Sequence, residues 1–174
     1  MRRQQLNKLG LNITYPEGLP ENYGNAHGEP SPIILDDLLN HVYSKDVCDL
    51  FTKGSHHINI SVLLITQNLF HQGTNYRDIS LIAKYLVLLK NFRDKNQFLY
   101  LACQAYPEDR QGLYDAYRDA TRQPHGYLTL DFAQDTDDTL RFRTNIFPDE
   151  GPPILYAPGD DETYKVQLPQ ITHP

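Results

Sequence analysis

Residues 33–37 read Ile33-Ile34-Leu35-Asp36-Asp37: three aliphatic side chains suited to the inside of a sheet, then two carboxylates where that strand must end. A carboxylate held at the end of a buried strand suits magnesium, a hard cation that takes one or two protein carboxylates and completes its shell with water and phosphate oxygens. Asp36 is the candidate for that contact, and Asp37 for polarising an attacking water. Adjacent carboxylates repel, and a cation between them keeps both ionised. The competing reading is that either acid caps the helix that follows, which Asp does well. Gln67 ends a second aliphatic run, residues 58–66. A neutral amide there can orient water or sense a terminal phosphate without adding charge, or it can merely satisfy loop backbone. Arg77 and Arg93 follow in polar loops. A guanidinium can stabilise a transferring phosphoryl group, often across a subunit interface; the plainer alternative for each is a surface ion pair.

The elements that must position these groups follow from hydrophobic period. Residues 1–31 are rich in turn formers (Pro16, Gly18, Pro20, Gly24, Gly28, Pro30) and read as a connector after a short amphipathic start at 6–13. Residues 32–35 and 58–66 are too apolar for a one-sided sheet and read as buried strands. Between them Leu38, Leu39, Val42, Val47, Leu50 and Phe51 recur at helical spacing, with Gly54 as the stop. A short helix is expected around 78–83 and a third buried strand at 85–89. Helices are expected at 94–105 and 110–121, the second ended by Pro124. Residues 126–132 and 140–146 alternate in polarity about Asp135-Thr136-Asp137-Asp138, a hairpin pattern at a sheet edge. From Pro148 onward lie six of the twelve prolines and five acids against one lysine, so 149–174 is expected to be an acidic tail, extended or disordered. Strands alternating with helices predict an α/β fold with a mostly parallel sheet. In such sheets ligands bind at the carboxyl ends of the strands, where Asp36, Asp37 and Gln67 all fall.

Composition narrows the classes. At 174 residues the chain is long enough for a real core, and its net charge of −6 argues against a generally basic nucleic-acid coat. The most basic segment, Lys90-Asn91-Phe92-Arg93-Asp94-Lys95, is the one that could face DNA or a neighbour. No apolar run has membrane-spanning length, and no apolar stretch follows the basic start, so neither a membrane partner nor secretion is expected. Cys48 and Cys103 lack zinc spacing and are expected to pack as small hydrophobes inside helices, in a reducing compartment. His56-His57 has no third ligand spaced for zinc. None of the ten glycines is followed by lysine, so no phosphate-cradling Gly-Lys-Ser/Thr loop is present.

Several segments together carry a family resemblance. They are Ile34-Leu35-Asp36-Asp37-Leu38, Leu50-Phe51-Thr52-Lys53-Gly54-Ser55-His56-His57, Thr66-Gln67-Asn68-Leu69-Phe70-His71-Gln72-Gly73, Arg77-Asp78-Ile79-Ser80-Leu81, Lys90-Asn91-Phe92-Arg93-Asp94-Lys95, Pro124-His125-Gly126-Tyr127-Leu128 and Leu140-Arg141-Phe142-Arg143-Thr144-Asn145-Ile146-Phe147-Pro148. Over residues 32–148 the chain resembles the DNA-packaging ATPases of adintoviruses and Maverick/Polinton elements, which are FtsK/HerA-like P-loop motors with a RecA-like core. The resemblance implies a homo-oligomeric ring that uses ATP and Mg2+ to drive double-stranded DNA into a capsid, in the nucleus or at a virus assembly site. It makes Asp36 and Asp37 the Walker-B acids, Gln67 the polar residue of the sensor strand, and Arg93 or Arg77 the interfacial arginine. Relatives carry a Walker-A strand, loop and helix before this point. The expected fold is therefore a P-loop domain incomplete on its N-terminal side, with a β-hairpin near the end, that binds neither ATP nor Mg2+ tightly by itself. The alternative is a non-catalytic remnant or assembly module derived from such an ATPase.

Overall fold

The computed structural model describes residues 13–14, 18–19, 31–36, 45–54, 60–67, 79–93, 95–157 and 164–167. The chain forms two compact units, one of residues 1–67 and 73–76, the other of 68–72 and 77–174.

In the first unit, β1 (Ser31–Asp36) and β2 (Ile60–Ile65) pair in parallel, Ser31 beside Ile60 through Asp36 beside Ile65. Between them lie α1 (Lys45–Asp49) and a π-helical turn (Leu50–Gly54). Thr52 sits at the junction, its hydroxyl donating to the Cys48 carbonyl at 2.9 Å. Leu35, Val47, Leu50 and Ile60 are the buried apolar residues here among those described. The side chains of both strands alternate in exposure. Ile34 and Leu63, neighbours in the register, are 61% and 51% exposed. These strands are therefore covered on one face, not on both.

In the second unit, β3 (Tyr85–Leu89), β4 (Tyr127–Asp131), β5 (Phe142–Thr144), β6 (Ile154–Ala157) and β7 (Tyr164–Gln167) form one sheet in chain order, every pair antiparallel. This corrects the expectation of a mostly parallel sheet: the fold is mixed α/β, and only β1 and β2 run parallel among the described strands. The run at 85–89, expected as a third buried parallel strand, is an edge strand whose alternate residues Tyr85, Val87 and Leu89 are exposed. An all-apolar sequence of five residues states that a strand forms. It does not state which neighbour it takes.

Helices α2 (Lys95–Ala105) and α3 (Arg110–Ala120) join β3 to β4 and cover one face of the sheet. Asp109 caps α3, its Oδ1 accepting from the Gly112 amide at 2.8 Å, which satisfies one of the open donors of the first turn. Gly112, Leu113, Ala116 and Ala120 make its buried stripe, at the 3.6-residue spacing of one helix face. Against that stripe pack Phe98, Leu101 and Ala102 from α2 and Leu128, Leu130, Phe142 and Tyr156 from the sheet. Phe98 stacks on Tyr117 at 4.2 Å between centroids, and Tyr106 meets Phe142 edge-on at 5.6 Å. The chain leaves α3 through Thr121, whose hydroxyl donates to the Tyr117 carbonyl at 2.7 Å, and turns at His125, at φ +62°. A Cβ on Gly126 would stand 2.4 Å from the Ala120 carbonyl oxygen, so only glycine lets the strand start this close to the helix end.

The hairpin expected from 126–132 and 140–146 forms between β4 and β5, with Leu130 beside Phe142, but inside the sheet rather than at the expected edge, because β3 and β6 flank it. Arg141 fastens its turn: Nη1 donates to the carbonyls of Asp131 and Ala133 at 3.1 and 3.0 Å, and Nε to Asp138 at 2.7 Å. The residues beyond Pro148, expected as an extended or disordered acidic tail, include the extended strands β6 and β7. Cys103, expected to be buried, is exposed on α2, with Arg110 Nη1 at 3.7 Å from its sulfur; Cys48 is half-buried. Among the described residues no helix is long and apolar enough to cross a membrane.

Candidate functional site

The carboxyl ends of β1 and β2 hold the candidate site. Asp36, last in β1, lies beside Ile65, last in β2, and Gln67 follows two residues on. The parallel pairing thus brings Asp36 and Gln67 to the same end of adjacent strands, although thirty residues separate them in the sequence. Both side chains are exposed and free of the packed layer. The aliphatics that precede Asp36 explain its placement: Leu35 is buried at 5% exposure and anchors the strand one residue before the acid.

The arrangement offers one oxyanion and one neutral amide on the described residues. Such a donor set fits a magnesium ion held chiefly by phosphate and water oxygens, with the protein adding a single carboxylate. It does not fit a cation caged by protein alone, and no cluster of three or more His, Cys, Asp or Glu side chains suited to a metal occurs among the described residues. Asp37 and Arg77 lie outside the described residues, as do His56 and His57.

Arg93 belongs to the second unit. It is exposed in the turn after β3, where its amide donates to Asn91 Oδ1 at 3.0 Å. Tyr117 of α3 shapes that turn: its hydroxyl accepts from the Asn91 amide and donates to the Leu89 carbonyl, each at 3.1 Å. Lys90 Nζ stands 4.7 Å over the Phe92 ring, which is itself 75% exposed. The turn thus presents Lys90, Phe92 and Arg93 outward on a base fixed by the helix layer.

Two polar clusters were not singled out in the sequence. Asp131, on β4, is buried and ion-paired with Arg143 of β5, and its Oδ1 accepts from the Ala133 amide at 3.0 Å. Beside this pair the hydroxyl of buried Thr129 and the Nε of Arg143 have no hydrogen-bond partner. The second cluster is Asp119, which accepts from Tyr156 at 2.7 Å and from Lys165 at 2.6 Å. Alternation of Thr129 and Asp131 against Arg141 and Arg143 was a readable signal for the first. No local pattern announces the second, whose members lie 37 and 46 residues apart.

Compared with known proteins, the chain matches no family model, no curated sequence and no solved structure.

Proposed function

We propose that this chain is the C-terminal part of a viral or virus-derived DNA-packaging ATPase, a homo-oligomeric ring motor that couples ATP hydrolysis to movement of double-stranded DNA into a capsid. The observation that supports this reading is the shared strand end of Asp36 and Gln67, on parallel neighbours. In the reading, Asp36 holds magnesium, Asp37 polarises the attacking water, Gln67 senses the terminal phosphate, and Arg93 or Arg77 reaches a neighbouring subunit's nucleotide. Magnesium, when bound with ATP, neutralises charge on the phosphates. The chain's own residues orient water and hold the phosphate in line with it, which is most of what phosphoryl transfer asks of a protein.

A second reading has its own observation. Exposed apolar residues on β1, β2 and β3 favour an assembly module that keeps the fold and contacts partners without chemistry. One experiment separates the two. The chain alone is expected to show no ATP hydrolysis above a boiled control, because its sequence contains no phosphate loop. Joining a Gly-x-x-x-x-Gly-Lys-Ser/Thr strand-loop-helix segment, read in frame from the gene upstream of Met1, should restore hydrolysis, and Asp37→Asn should abolish it. A joined, folded protein that stays inactive overturns the ATPase reading and leaves the assembly module.

A further inference from the structure

The turn after β3 is built from the helix layer outward. Tyr117 lies on α3, and its hydroxyl is used both ways: it accepts from the Asn91 amide and donates to the Leu89 carbonyl. Leu89 is the last residue of β3, so one phenol closes the strand and opens the turn. The ring that carries this hydroxyl is itself held. Phe98 of α2, buried in the core, stacks on it with 13° between the planes. Asn91 passes the constraint on, since its Oδ1 accepts from the Arg93 amide and fixes the backbone two residues ahead.

The side chains of the turn divide in role. Lys90 Nζ sits over the Phe92 ring. The Arg93 guanidinium is exposed and makes no ion pair among the described residues. Arg93 thus combines an anchored backbone with an uncommitted charge. Core packing does not call for the Tyr117 hydroxyl: a phenylalanine at 117 would stack on Phe98 as well, and the Leu89 carbonyl, at the surface, could bond water instead. What the hydroxyl adds is position.

We propose that Tyr117 is a positioning residue for Arg93: from α3, through Leu89 and Asn91, it sets the turn that presents the guanidinium to a phosphoryl group bound by a neighbouring subunit. This role rests on the ATPase reading above and takes Arg93, not Arg77, as its arginine. A guanidinium that meets the charge developing on a transferring phosphoryl group contributes about 10³–10⁵ in rate. Misplacing a reacting group by about 1 Å forfeits roughly a hundredfold, so a turn fixed from the helix layer preserves the contribution.

Two readouts test it. In the full chain, Tyr117→Phe keeps the ring on Phe98 and removes the hydroxyl alone. Hydrogen exchange at the Asn91 and Arg93 amides should rise roughly tenfold, while Leu113 and Ala116 in the buried stripe of α3 keep their protection. In the protein joined to its phosphate-loop segment, Tyr117→Phe should lower kcat roughly tenfold to a hundredfold with KM for ATP unchanged. It should lower kcat no further once Arg93→Ala is present, which a purely structural role would not do. If Tyr117→Phe loses its cooperative melt, Asn91→Ala, which removes the acceptor of the Arg93 amide, takes its place and is read at that amide and by the same kinetics. Unchanged exchange in the folded variant overturns the proposal whatever the joined protein does. An active joined protein in which Arg93→Ala leaves kcat intact, or in which Tyr117→Phe costs as much with Arg93→Ala as without it, overturns this role and leaves the ATPase reading standing. A joined, folded protein without activity overturns that reading and this role with it.

Discussion

The hydroxyl of Tyr156 donates to Asp119 Oδ2 at 2.7 Å, so a strand from near the chain's end is fastened to the helix that precedes β4. Lys165 Nζ reaches the same oxygen at 2.6 Å and brings β7 into the fastening. One carboxylate thus ties α3 to the last two strands of the sheet. Partial burial works to raise the Asp119 pKa, but the Lys165 and Tyr156 hydrogen bonds and the nearby charges of Lys165 and Arg122 outweigh it and hold the carboxyl below its ordinary value. A carboxyl held low in the fold contributes stability that is present above the unfolded value, about 3.9, and is lost as pH falls through the folded value. Asp119→Asn should therefore lower stability near neutrality and flatten the acid limb of a denaturant-midpoint profile below about pH 4. A variant with an unchanged acid limb would show that Asp119 does not couple the tail strands to the helix.

The phenol of Tyr127 should give the opposite sign. Burial, then its hydrogen bond to Glu150, pushes it up to about 12, against a smaller lowering by the Ile146 amide. Its contribution is complete below the unfolded value of about 10 and is lost as pH rises toward about 12. Tyr127→Phe removes the donor to Glu150 and the acceptor for the Ile146 amide at 3.0 Å. The expected cost at neutral pH is about 1–2 kcal/mol, with a shallower alkaline limb, both read by urea unfolding.

Substitution of the buried ion pair should be costlier than its exposed counterparts. Asp131→Asn leaves Arg143 without its carboxylate in a setting where Thr129 and Arg143 Nε already lack partners. A loss of about 3 kcal/mol is expected. The exposed pair of Arg118 with Asp115, at 3.6 Å, should contribute under about 1 kcal/mol when Asp115→Ala is compared by the same unfolding measurement.

Gly126→Ala forces a methyl against the Ala120 carbonyl oxygen, 2.4 Å from where its carbon would sit. Backbone must move, and α3 and β4 both meet the core through that turn. About 1–3 kcal/mol should be lost. Phe142→Ala, which empties the position against Tyr106, should lose about 3–5 kcal/mol. Thermal melts order the two.

The open face of β1 and β2 should bind an apolar dye. Ile34→Lys with Leu63→Lys should reduce dye fluorescence and aggregation while changing stability by no more than about 0.5 kcal/mol per site, since both side chains are largely in water already. A large loss of stability would mean that this face is covered in the folded protein.

Much of the local structure was written in residue order. Leu113, Tyr114 and Tyr117 at helical spacing and Pro124 as the stop marked α3, because helix faces are set by neighbours three and four residues away; the Asp109 cap and the buried Ala116 and Ala120 came from the structure. Alternation through 126–132 and 140–146 defines the β4–β5 hairpin for the same reason of short range. The aliphatic runs ahead of Asp36 and Gln67 likewise made β1 and β2 recognisable as strands. That Asp36 and Gln67 share one strand end depended on β1 and β2 running parallel, a relation between distant segments. Which partner the 85–89 strand would take was decided only in three dimensions, where it pairs antiparallel with 127–131 and leaves Val87 on an open edge. The last two strands show the limit most clearly. Prolines and acids near Ile154–Ala157 and Tyr164–Gln167 carry little intrinsic strand preference, and these two strands are held by what they meet: β5 on one side, and a carboxylate at Asp119 that receives Tyr156 and Lys165. Local propensity is a sum over near neighbours, whereas strand pairing is chosen by the whole packed layer.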